Sequence, residues 1–166
     1  MKHLLTSLML LSLFVSSLMG IAPNTANRLT FSNFSAGSVP EIDIKGNGLT
    51  IVDGDTTPTL NDHTHFGSVD VKKGTVVRKF TIYNTGTANL TLTGSIRIAI
   101  SGKGAADFTV TRMPQTPIAP GGSDYFEITF KPSAAGSRKA IISIANNDSN
   151  ENPYNFYIRS EERRVG

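Results

Sequence analysis

The chain has no cysteine, and only 17% of its 166 residues are charged. Without thiols it can form no disulfide, no thiolate nucleophile and no Cys-ligated metal site. Small exported domains often need disulfide staples, whereas a body of more than a hundred residues buries enough apolar surface to stand without them. Long apolar runs are also scarce. The single one, Leu4 to Met19, is interrupted only by Thr6 and serines, follows Lys2 and His3, and ends at Gly20. That is the layout of a secretory signal peptide. It is short for a bilayer span, and no basic stop-transfer cluster follows it. Residues 1–20 are therefore expected to be a cleaved export signal that meets the membrane only during export, the alternative being an uncleaved membrane anchor. Residues 21–39, rich in Asn, Ser, Thr and Gly, are expected to be a linker.

Net charge is +3 and the isoelectric point is near 9.3, which raises the question of nucleic acid. The basicity is peripheral. Setting aside Lys2 and residues 159–166 removes four basic and two acidic side chains and leaves the body at +1. Lys72, Lys73, Arg78 and Lys79 are the densest remaining basic group and read as a solvated sheet face. No nucleic-acid partner is expected.

Fifteen glycines and eight prolines suit short strands joined by turns, and no window shows the 3.6-residue period of an amphipathic helix. From Pro40 onward the period is two. Ile42 and Ile44 share a face in EIDIK; Val76, Phe80 and Ile82 do so in TVVRKFTIYN. The Asn84-Thr85-Gly86 turn, with Gly86 at positive φ, is expected to open a hairpin into NLTLT, with Leu90 and Leu92 inward. IRIAI places Ile96, Ile98 and Ile100 together. Phe108 and Val110, then Phe126, Ile128 and Phe130, then Ala140, Ile142 and Ile144, and finally Tyr154, Phe156 and Ile158 continue the series. MPQTPIAPGGS, with three prolines, is a crossing loop. Strands at this cadence predict an all-β, immunoglobulin-like antiparallel sandwich of about seven to nine strands.

The order of PEIDIKGNG, IVDGDTTP, FGSVDV, FTIYNTGTANLTLTG, ADFTV, ITFKPSAAG and ISIANNDSNENPYNF resembles the bacterial choice-of-anchor D domain. That domain is a relative of the abnormal-spindle and hydin type of immunoglobulin-like domain. The resemblance spans residues 40–158. It implies an exported, often tandemly repeated module at the cell surface, with no catalysis and no cofactor. The partners it implies are neighbouring domains of the same chain. It places Asn84 and Gly86 at a strand-joining turn, Phe108 in the core, and Pro132 and Gly136 around the next turn. Tyr157 departs from the pattern, which expects a small residue there.

Residues 159–166, RSEERRVG, break abruptly into dense charge and match, codon by codon, AGATCGGAAGAGCGTCGTGTAGGG, common sequencing-adapter DNA. They are expected to be adapter-encoded, with the natural protein continuing beyond Ile158; the alternative is a genuine charged tail, solvated or disordered.

Little chemistry is legible. The body histidines, His63 and His65, share one loop, and no GxSxG elbow exists, so no hydrolytic triad is suggested. The two histidines make half a zinc site at most. SGKG (101–104) lacks the spacing of a phosphate loop. Asp53 and Asp55 in one loop, with Asp148 and Glu151 in another, are calcium candidates if those loops meet; the same residue types also build ordinary turns. The expected function is a non-catalytic structural or adhesive module of an exported bacterial surface protein, as the first domain of a longer, artificially truncated chain. The alternative is a glycan- or protein-binding domain attached to a downstream catalytic domain missing from the sequence; aromatics clustered near Tyr125, Tyr154 and Tyr157 would speak for the binding role.

Overall fold

A computed structural model of the chain describes residues 37–72 and 74–163. The expected signal peptide, and the linker up to residue 36, lie outside the described residues. Nine strands follow in order: β1 (Ile42–Gly46), β2 (Leu49–Thr50), β3 (His65–Asp70), β4 (Val76–Asn84), β5 (Ala99–Ser101), β6 (Phe108–Arg112), β7 (Ser123–Phe130), β8 (Gly136–Ile144) and β9 (Tyr154–Arg163). The only helical element described is one 3-10 turn, Ala105–Asp107.

The strands form two sheets, β2-β1-β4-β7-β6 and β3-β9-β8-β5. The sandwich expected from period two is present, with one difference in pairing: β3 runs parallel to β9, so the four-stranded sheet is mixed.

Alternation explains the core. Ile42 and Ile44, Phe80 and Ile82, Phe126, Ile128 and Phe130 face inward from one sheet. Ala140, Ile142 and Ile144, with Tyr154, Phe156 and Ile158, face them from the other. Six phenylalanines bind the layers together. Phe80 reaches Phe156 across the interior at 5.7 Å between ring centroids, and Phe66 meets Phe108 edge-on at 5.3 Å. Each such ring removes a large apolar area from water and adds quadrupole attraction in offset or edge-on pairs.

Several expectations fail where burial and strand pairing part company. Leu90 and Leu92 are buried, yet they make only single bridges, to Ile118 and Asn146. Segment 85–92 therefore passes between the sheets and is not the second arm of a hairpin. Gly86 is absent from the residues at positive φ. It is required for close approach: a Cβ there would lie 2.5 Å from Glu41 N and 2.7 Å from the Pro40 carbonyl carbon. Ile96 is exposed, and only Ala99–Ser101 of its segment pairs. Arg78 is half-buried with its Nε enclosed and unbonded, while Lys79 is exposed. The two residues lie on opposite faces of β4, so the expected basic face does not form as one surface.

β9 also continues beyond Ile158. Residues Arg159 to Glu162 stay in register with β8, and Ser160 is fully buried, donating its hydroxyl to the Gly67 carbonyl at 2.8 Å. Near the strand's end the Glu162 side chain is enclosed, 3.4 Å from Arg138 Nε, with neither carboxylate oxygen hydrogen-bonded. Burial raises its pKa.

Strand directions give the sandwich a defined polarity. Ile42, the first residue of β1, pairs with Asn84, the last of β4; Tyr154, the first of β9, pairs with Ile144, the last of β8. The β8–β9 turn touches the start of β1, so both strands begin at the same end, here the proximal end. β9 finishes beside Gly136, where β8 starts, at the distal end.

Candidate functional site

The proximal end collects carboxylates from three chain segments. The β8–β9 turn is built from its own side chains. Asn146 Oδ1 accepts the Asp148 N–H at 2.7 Å, and Asn146 Nδ2 donates to the carbonyls of Ile144 (3.1 Å) and Glu151 (2.9 Å). Asp148 Oδ1 accepts the Asn150 N–H at 3.3 Å. These local bonds are why an Asn/Asp-rich stretch forms a tight turn, and they leave Asp148 buried and aimed across the sandwich. There its Oδ2 accepts the backbone N–H of Ile42 at 3.0 Å, a link between residues 106 apart in sequence.

That link draws Glu41 to the turn. Carboxylate oxygens of Glu41, Asp148 and Glu151 lie within 4.8 Å of one another. Glu151 Oε2 is enclosed and has no hydrogen-bond partner. Burial first, then the negative charges of Glu41, Asp148, Asp53 and Asp43, push the Glu151 carboxyl up to about 7. Glu41 is raised as well, by burial and by Asp148. The neutral acid is favoured because like charges in a partly desolvated site resist joint ionisation.

Of the four calcium candidates, the fold unites Asp148 and Glu151. Asp53 contributes to their field, but its Oδ1 accepts the Asn155 N–H at 2.6 Å. Asp55 is engaged elsewhere, accepting the N–H and hydroxyl of Thr57 at 2.8 and 2.7 Å. Glu41 had no local signal in the sequence; only the packing of β1 under the β8–β9 turn selects it. Both Asp148 oxygens already accept backbone N–H groups, and the group brings carboxylates from only three residues, fewer than the six to eight oxygens that calcium takes.

The other sequence candidates scatter. His63 sits at φ 66° in its loop, with its pKa lowered by burial and then by Arg78 against the opposing pull of Asp62. His65 Nδ1 accepts the Gly67 N–H at 2.9 Å. The only group of three metal-ligating side chains among the described residues is the acidic one, and it contains neither histidine. The tyrosines do not cluster. Tyr154 is buried, its hydroxyl donating to the Ile51 carbonyl. Tyr125, on the five-stranded sheet, is covered by Lys79 and Arg112, and Tyr157, on the other sheet, by Lys139.

A buried asparagine fixes the approach to this end. Asn84 donates to the carbonyls of Ala88 (2.7 Å) and Ile118 (2.9 Å) and accepts the N–H of Gly86 (3.1 Å) and Glu41 (3.4 Å). All of its capacity is used on backbone, so its role is architectural.

A model of the HYDIN/CFA65/VesB-like, Ig-like domain matches residues 59–161, more than half of the chain. The chain belongs to this family. Among solved structures, this HYDIN/CFA65/VesB-like domain is similar to a protein of unknown function from Porphyromonas gingivalis W83, at 19% identity and TM-score 0.52. The match covers 80% of this chain and 51% of that one, so the chain spans about half of its length. It is also similar to PapD-like domain 7 of human CEP192, at 14% identity and TM-score 0.46, over 93% of this chain and 99% of that one. The Vibrio cholerae VesB protease matches at 19% identity and TM-score 0.42, over 57% of this chain and 29% of that one. At these identities the likeness is one of fold. No curated protein matches the chain significantly.

Proposed function

We propose that this HYDIN/CFA65/VesB-like domain is a non-catalytic structural module of choice-of-anchor D type, in an exported bacterial surface protein. It acts as a spacer that holds neighbouring parts of its own chain apart. One observation carries the reading: the chain reaches β1 at the proximal end and leaves β9 at the distal end. A module traversed in this way adds its full strand length to the distance between the chain segments on either side of it. The signal-like segment 1–20 and the family membership support export and a modular role. Full use of Asn84 on backbone, the backbone N–H groups held by both Asp148 oxygens, and the absence of an assembled acid, base and nucleophile among the described residues fit a scaffold.

The test uses the absence of native cysteine. Paired spin labels at Ser38→Cys and Glu161→Cys in the full chain report the span. At about 3.3 Å per strand residue the expected separation is roughly 30 Å. A separation below about 15 Å overturns the spacer geometry. Saturable binding of the full chain to one class on a panel of glycans and extracellular proteins would replace the spacer reading with the binding-module one.

A further inference from the structure

We propose that the module is built to carry tension along its own chain, with β1 as the element that yields first and β9 as the anchor. This rests on the spacer reading and goes beyond it, because a spacer can be mechanically weak.

β1 and β9 both run from the proximal to the distal end, and they lie in different sheets. Tension drawing the incoming segment away from the proximal end pulls β1 along its own axis, past the antiparallel β4. Tension drawing the outgoing segment away from the distal end pulls β9 along its axis, past β3 and β8. In both cases the ladder is loaded in shear. Bonds in an antiparallel ladder lie perpendicular to the strands, so sliding must strain all of them together, whereas peeling breaks them one close pair after another.

The two clamps differ in strength. β9 has neighbours on both sides, with nine registered residue pairs to β8 and four to β3; four of the nine and all four of the β3 pairs fall at residues 159–163, so the anchor includes the stretch expected to be adapter-encoded. β1 holds β4 through five registered pairs and the two-residue β2 through two. The weaker clamp is reinforced where the load arrives. Thr85 N–H donates to the Glu41 carbonyl at 2.8 Å, while Thr87 and Ala88 N–H donate to the Val39 carbonyl at 2.7 and 3.0 Å. Val39 N–H donates to the Thr87 hydroxyl at 3.1 Å, and Asp148 holds the Ile42 N–H. Inward, Ile42 and Ile44 are locked in the core. Resistance to force is set by the barrier to the first rupture, so these bonds at the point of loading matter more than total stability.

Single-molecule force spectroscopy with handles on introduced cysteines tests this on one fold in two directions. Handles at Ser38→Cys and Glu161→Cys load the clamps in shear; handles at Ser38→Cys and Thr85→Cys, both at the proximal end, peel β1 from β4. Five registered pairs contain two or three close bond pairs, so the rupture force in shear is expected to exceed that in peeling by about two- to threefold. Urea denaturation of both double variants shows that each is folded before it is pulled. Equal forces in the two directions overturn the tension-bearing role. If the spin-label separation holds while the forces are equal, the spacer reading stands without it; if the separation collapses, the spacer reading itself has failed.

Discussion

Glu151→Gln isolates the acidic proximal end. In the folded protein the Glu151 carboxyl is raised from its usual 4.5 to about 7, whereas the unfolded chain leaves it near the usual value. Below about pH 4.5 the group is protonated in both states and costs nothing. As pH rises towards 7 the unfolded chain sheds the proton first, so the unfolded state binds fewer protons and stability falls across that window. At about 1.4 kcal/mol per pH unit the effect is bounded at roughly 3 kcal/mol. Glu151 is only half-buried, and solvent screening brings the expected loss to about 1–2 kcal/mol. Glutamine has nearly the same shape, cannot ionise, and offers an amide donor to the Asp148 and Glu41 carboxylates. The variant should therefore be more stable than the parent at about pH 8 by that amount and equal to it near pH 4.5. Urea unfolding at a series of pH values in chelator measures both. Glu41 and Glu162 are raised too, so the difference between the two proteins, rather than the parent's slope, is the quantity to read. A variant no more stable than its parent at pH 8 would refute the account of the cluster as crowded, partly desolvated acid. Calcium is expected to leave the parent's unfolding curve in place; a calcium-dependent rise abolished in the variant would reassign the cluster as a cation site.

Phe80 touches Phe66, Phe126 and Phe156 and is fully buried, so Phe80→Ala should cost about 3–5 kcal/mol in urea unfolding; a loss below about 1 kcal/mol would contradict the cross-sheet core. Glu162→Val removes an enclosed carboxylate that makes no hydrogen bond and supplies a better strand former, so stability should rise by about 1–2 kcal/mol; a net loss would mean that the 3.4 Å approach to Arg138 outweighs desolvation.

How much was legible in the sequence varied with how regular each segment is. In β4, β7, β8 and β9 the alternation of apolar residues identified strand, face and core together, because both neighbours of each strand continue the same ladder. The same pattern misled at Leu90 and Leu92. Alternation reports which side chains are buried, and a segment crossing between sheets buries every second residue without pairing its backbone. The Asn/Asp-rich turn at 146–152 was visible as a turn, and Asp148 and Glu151 as acids within it. Their meeting with Glu41 was not visible.

The sequence by itself determined an all-β sandwich, its core residues and most of its turns. These follow from local steric preference and from the two-residue period with which side chains leave a strand. Tertiary structure alone decided that β3 lies parallel to β9, that Glu41 joins the distant Asp148 and Glu151, and that the chain passes through from one end to the other. Each of these depends on which strands become neighbours. That choice is made by the packing of whole sheets, and a residue's own neighbours in sequence carry no record of it.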